Sequence, residues 1–259
     1  MNRHALAVHA ALLADRVRPP APGVTVLIYH RVGGDSGSAV DLGIDEFRAQ
    51  LAHLAEHHRV ITLDDALRRL AGGDDTPAVV ITVDDGTADF AEHLVPALVD
   101  TNLPATLYAA TSFIDTAEPF PWGAPPVSWA ALADAVATGL ITVESHSHTH
   151  PHFSQLDGPS AADELQRASD SIGSALGRAP RHFAYPRAVV PSAAAEIEVR
   201  SRHVSAALAG NAVNTARLDP HRLGRTPVRA GEPIEVFAAR ASGGLRLEGA
   251  IRAAIARHR

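Results

Sequence analysis

Residues 78–90 read AVVITVDDGTADF, and most of the architecture follows from them. Positions 78–83 are apolar or β-branched throughout, with no charge among them. A run of this kind is a strand covered on both faces, as strands are in a parallel sheet with helices packed above and below it. The run ends on Asp84, Asp85 and Gly86, and a helical pattern follows from about Ala88 to Val99 despite Pro96. A strand, a polar junction and a helix in that order are one βα unit.

The same unit recurs on either side. VTVLIY (24–29) reads as a buried strand, and DEFRAQLAHLAEHH (45–58) sets Phe47, Leu51 and Leu54 at helical spacing. RVITL (59–63) reads as a short strand followed by a helix through Leu70. Downstream come a strand at 105–110, a helix stopped by Gly139, and a strand at 140–144. A long helix at 160–177 follows, with Ser160 and Glu164 near its start, then strands at 182–186 and 203–208. Beyond 208 no element is clear. Seven or eight such units in about 250 residues fit an α/β fold of the (β/α)-barrel kind, distorted or incomplete, with parallel strands. An open doubly wound sheet is the alternative. Residues 1–23 read as an N-terminal helix and linker, the helix ending at Pro19 and Pro20, and 24–259 as one barrel domain.

Composition narrows the function classes. A net charge of −6 with scattered basic residues argues against a nucleic-acid partner. The absence of cysteine excludes disulfides, thiolate zinc sites and cysteine nucleophiles. No run of about 18 apolar residues exists to span a membrane. The first segment is interrupted by His9 and Asp15 and does not read as a secretion signal, so a cytoplasmic location is expected. The oligomeric state is left open.

The polar residues sort by position. His30 follows the first strand, Asp84 and Asp85 end the strongest one, His146 and His150 follow another, and Tyr185 to Ala188 close a fourth. All fall at the C-terminal ends of strands, which in a barrel form one face, the face that carries active sites. ESHSHTHPHF (144–153) holds four histidines, and in a chain with 15 of them a cluster alone means little. An Asp with two neutral His suits a divalent ion such as Zn²⁺. On a regular strand Asp84 and Asp85 would face opposite ways, but at a junction with a glycine next both can turn into one pocket. His146 and His150 come to one side in a helical turn; since Pro151 disfavours the α region for His150, a compact loop serves equally. His148 and His152 are expected to be solvated or behind the ligands. The proline-rich loop at 114–129 with Trp122 is either a wall facing substrate or an ordinary surface loop.

These segments together resemble the polysaccharide deacetylase family, the NodB-homology carbohydrate esterases. TVDDG (82–86) is similar to its Thr-Phe-Asp-Asp-Gly motif, HSHTH (146–150) matches its His-Ser/Thr-x-x-His motif, and FAYPRA (183–188) is a degraded form of Phe-Ala-Tyr-Pro-Tyr-Gly. YHRV (29–32) and PATLYAATSFID (104–115) are weaker echoes, and the likeness covers roughly residues 24–230. It implies a metal-dependent hydrolase that removes N-acetyl, or O-acetyl, groups from a carbohydrate. Asp85, His146 and His150 would hold a divalent metal, Zn²⁺ first and Co²⁺, Ni²⁺ or Mn²⁺ as alternatives. Asp84 would be the general base. A backbone N–H near Arg187 would hold the oxyanion, with Tyr185 and Trp122 beside the substrate. A late Leu-x-His motif is missing, so the acid role falls to His30. Arg187 and Ala188 replace Tyr and Gly; the arginine suits an anionic substrate group, and the lost glycine matters if positive φ is needed there. The rival readings are a degenerate carbohydrate-binding member and, behind it, a 2-His-1-carboxylate iron enzyme.

Overall fold

The computed structural model describes residues 3–17, 20–33 and 36–245, so the end of the expected 24–259 domain, 246–259, lies outside the described residues. Its strands are β1 (Val24–Tyr29), β2 (Arg31–Val32), β3 (Asp41–Leu42), β4 (Ala78–Asp85), β5 (Ala105–Ala109), β6 (Ile141–Ser145), β7 (His182–Ala184), β8 (Ser205–Ala209) and β9 (Leu223–Pro227). Seven of them close into a parallel barrel in the order β1-β4-β5-β6-β7-β8-β9, and β2 and β3 pair separately. Val26, Leu27 and Ile28 of β1 register with Arg225, Thr226 and Pro227 of β9, which closes the ring and removes the open-sheet alternative.

The strands read as unbroken apolar runs because both faces are buried. One face, with Val24, Val26, Val80, Tyr108, Ala184 and Ala207, fills the barrel and is plugged below by Leu63, Ala66 and Leu70. The other, with Leu27, Tyr29, Ile81, Val83, Leu107 and Val143, meets Phe47, Leu51, Leu54, Leu94 and Leu132 from the helices. Strand periodicity of two assigns alternate residues to these layers. The N-terminal helix, Arg3–Val17, sets Val8 and Ala11 against Val236 and Leu245. No described helix is long and apolar enough to cross a membrane.

Three local readings change. RVITL forms no barrel strand: Val60 makes one bridge to Val79, below the point where β5 begins pairing at Ile81, and Thr62 caps the helix Leu63–Ala71 through its side chain. Only Ala78 to Val80 of β4 precede the β5 pairing on that side, and Val79 alone takes the bridge. The helix after β4 begins as a wide π turn, Phe90–Leu94, and becomes α-helical at Val95–Thr101. Pro96 falls in the first turn of the α part, where a missing N–H is tolerated. β9, LGRTP, was not legible because Gly, Arg and Pro mask its burial.

Candidate active site and metal centre

The site is assembled from strand ends. Asp85 turns at φ 75° and Gly86 at φ 93°, so the strand breaks from its pleat at the second aspartate. Asp84 keeps the strand conformation and points into the barrel, while Asp85 is redirected to the same cavity; both line it. That cavity has a volume of about 540 Å³ and also touches His30, Trp122, His146, His150, Arg187 and Arg229.

Asp85, His146 and His150 bring one ligand atom each to within 4.8 Å of one another. Asp85 Oδ1 lies 3.6 Å from His146 Nε2 and 3.4 Å from His150 Nε2. His146 Nδ1 is 2.8 Å from the Ala184 carbonyl. A carbonyl only accepts, so Nδ1 carries the proton and Nε2 presents its lone pair to the cluster. Burial lowers the His146 pKa to about 4 and that of His150 to about 3, keeping both neutral, the ligating form. Burial first, then the Asp84 charge, push Asp85 up to about 8. A buried carboxylate facing two imidazole lone pairs is a donor set that fits a divalent cation.

The loop between the two histidines is compact rather than helical. Ser147 and His150 both have positive φ, 68° and 61°. Glu164, from the helix Gly158–Leu176, accepts from the backbone N–H of His148 and Thr149 at 3.0 and 2.8 Å and from the Thr149 hydroxyl at 2.6 Å. Ser147 Oγ accepts from the His150 N–H at 3.1 Å. His148 is buried rather than solvated, with Nδ1 2.8 Å from Thr111 Oγ1, and it pins the loop to the helix Thr111–Thr116. His152 is half-buried and outside the cluster.

Behind Asp84 stands Arg225, which the sequence reading did not single out. Its two terminal nitrogens donate to the two Asp84 oxygens at 2.6 and 2.8 Å, and its side chain is fully buried. It also donates to Thr82 Oγ1 at 3.2 Å and lies 5.1 Å from the centre of the Tyr108 ring. Burial alone would raise the Asp84 pKa; the Arg225 charge overrides it and holds the carboxyl well below the usual range. The alternation Thr82, Asp84 on the inward face of β4 implied that a buried cation must arrive from another strand, but not which one.

The remaining positions divide. His30 follows β1 at the cavity wall; its Nδ1 is buried without a hydrogen-bond partner, and burial lowers its pKa. Trp122 lines the cavity, stacked on Phe120 at 4.9 Å and edge-on to His150 at 6.2 Å, so the proline-rich loop is a wall of the site. Tyr185 does not face the cavity, which corrects its expected place beside the substrate. Its ring is buried against Phe153 and Phe183, and its N–H is held by the Ala207 carbonyl, because it continues the face of β7 that packs on the helices, opposite the inward Ala184. Arg187 and Ala188 line the cavity at φ 57° and 53°. Positive φ is therefore needed at 188, and alanine adopts it without the freedom of glycine.

The sequence profile of polysaccharide deacetylases matches residues 71–201, just over half of the chain, and spans Asp84, Asp85, His146, His150 and Arg187. The chain belongs to the polysaccharide deacetylase family. No curated protein matches it in sequence. Among solved structures, it is similar to the Streptococcus pyogenes deacetylase PplD in complex with acetate, at 17% identity and a TM-score of 0.75, over 85% of this chain and 99% of that one. It is also similar to IcaB from Ammonifex degensii, at 24% identity and a TM-score of 0.73, over 86% of this chain and 98% of that one. A de-N-acetylase from Aggregatibacter actinomycetemcomitans superposes at a TM-score of 0.70 with 19% identity, over 84% of this chain and 99% of that one. At these identities the likeness is one of fold. For this deacetylase-family chain it covers a larger share of the residues than the profile match does.

Proposed function

We propose that this chain is a metal-dependent hydrolase that removes N-acetyl groups from a sugar-containing substrate. The observation that carries the reading is a carboxylate beside the three-donor cluster and not part of it: Asp84, ionised and clamped by Arg225, opens on the same cavity as Asp85, His146 and His150. That spare carboxylate favours hydrolysis over 2-His-1-carboxylate iron chemistry, which leaves Asp84 without a task. Asp85 Oδ1, His146 Nε2 and His150 Nε2 would hold a divalent ion, most simply Zn²⁺. When bound, such an ion polarises the acetyl carbonyl and acidifies water.

The protein groups supply the rest. Arg225 uses one lone pair of each Asp84 oxygen, and a second remains on each to accept the proton of the attacking water. Asp84 is a weak base because of Arg225, so it passes the proton on rather than keeping it. His30 is assigned the transfer to the leaving amine. Burial keeps His30 neutral at rest, so the proton it gives is one received during the attack. The Ala188 N–H is already bonded to the Tyr185 carbonyl at 2.9 Å, which leaves the Arg187 N–H as the proposed oxyanion donor. The exposed face of Trp122 would stack on a sugar ring. We keep the cytoplasmic placement as part of this proposal.

The test is acetate release from N-acetylglucosamine oligomers and from lipid- or nucleotide-linked N-acetyl sugars, before and after metal removal and zinc add-back. Release that needs both the ion and Asp84 supports the reading. One equivalent of bound metal with no release from any acyl substrate would favour a binding protein on a deacetylase scaffold.

A further inference from the structure

Four arginines surround the cavity, and their charges are balanced unequally. Arg225, beneath it, is matched by Asp84. Arg31, on the wall, lies 3.7 Å from both Asp41 and Asp89. Arg187 and Arg229 also line the wall, yet among the described residues neither has a carboxylate or hydrogen-bond acceptor in reach of its side chain. Arg187 is exposed and solvated, a state that is ordinary for an arginine. Arg229 is half-buried, and its Nε is shielded from solvent with no partner. The two come from different loops, the turn after β7 and the segment after β9, so their meeting at one cavity is a tertiary feature.

We propose that Arg187 and Arg229 form a clamp for an oxyanion carried by the substrate, so that the preferred substrate is an acidic N-acetyl sugar bearing a carboxylate or phosphate. This rests on the deacetylase reading above. The acids of the site cannot serve the clamp. Both Asp84 oxygens face Arg225, and Asp85 faces the two imidazoles. Among the described residues no acid pairs directly with either arginine, although the Arg187 charge is felt at Asp85, so a ligand oxyanion would supply the direct partner. A guanidinium presents planar paired donors that match carboxylate and phosphate oxygens, and its charge-assisted hydrogen bonds strengthen away from bulk water. A neutral sugar leaves the Arg229 Nε unpaired. Position 187 is also where the third motif departs from tyrosine.

The experiment compares neutral N-acetylglucosamine, N-acetylglucosamine 6-phosphate and N-acetylmuramic acid, whose lactyl group supplies a carboxylate. Acetate release is measured for the zinc-loaded protein and for Arg187→Ala, Arg229→Ala and Arg229→Lys. The unmodified protein should favour one charged sugar by about tenfold or more in kcat/KM, and which one separates phosphate from carboxylate. Each alanine variant should lower the charged-to-neutral ratio by roughly tenfold, the scale of one lost charge-assisted contact. Arg229→Lys should recover part of it, and added salt should shrink the preference. A ratio near one in the unmodified protein, or a ratio unmoved by both alanine variants, overturns the clamp while the deacetylase reading stands. If no sugar releases acetate, the deacetylase reading fails and calorimetric titration of the two charged sugars decides the clamp. Binding weakened about tenfold by Arg229→Ala, and less by Arg229→Lys, supports it, and absent or unaltered binding overturns it.

Discussion

Among the described residues, two groups of histidines have their rings in contact, and one of them converges on a buried carboxylate. His53, His57 and His58 occupy a helix and its end, with ring centroids 4.6 and 5.5 Å from His53. Their nearest carboxylate is exposed Glu56, 3.8 Å from His57. His146 and His150 lie on a loop, with centroids 4.9 Å apart, and meet Asp85 from a different strand. Ring proximity is alike in the two places. The difference is that the loop is tied at Glu164, Thr111 and Ala184, so its nitrogens are aimed by groups outside it, whereas the three helix imidazoles do not bring their ligand atoms together. A histidine count therefore does not mark a site; donors delivered from separate elements do.

The largest consequence is in metal content and turnover. Asp85→Ala should drop bound zinc from one equivalent toward none, while the double change His53→Ala, His57→Ala leaves it in place, as read by elemental analysis after dialysis. Equal loss in both proteins would erase the distinction. Asp84→Asn should retain the ion and lose roughly 10³-fold in kcat, within the range for a general base.

Arg225→Met tests how the site is held. It strands Asp84 as an uncompensated buried charge and should cost about 3–5 kcal/mol in urea unfolding. Adding Asp84→Asn should return part of that loss. If the single and double variants unfold together, the pair does not act as a unit.

A third kind of histidine sharpens the contrast through pH. His203 is buried beside Phe183, 5.3 Å between centroids, and burial lowers its pKa to about 4. The unfolded chain, with an ordinary histidine pKa of about 6.5, takes up this proton first as pH falls. Stability is thus fully present above about pH 6.5 and declines as pH drops toward 4, by at most about 3 kcal/mol from this residue. Melting between those pH values should show the decline, and His203→Gln should flatten it. An unchanged slope would place the acid sensitivity elsewhere.

The smallest effect belongs to the site's backbone. Ala188→Gly relieves a left-handed alanine and should stabilise by about 0.5–1 kcal/mol, raising Tm by a few degrees. A lower Tm would mean that the alanine methyl packs usefully at the cavity wall.

Much of this was readable along the chain. Continuous apolar runs such as 78–83 announced a parallel sheet, because burial on both faces leaves no alternation to confuse the pattern. Gly86 after two aspartates announced that both could enter one pocket, and the positive φ at Asp85 is how they do so. Tyr185 went the other way: a motif position does not say which face of its strand a ring takes, and here the ring joins Phe153 and Phe183. The pairing of Arg225 with Asp84, 141 residues apart, lay beyond any local pattern. An arginine in a weak strand reads as a surface residue until ring closure brings β9 beside β1 and turns it inward. Local periodicity reports which residues are buried; which buried charges meet depends on strand order and register, and those are properties of the closed barrel.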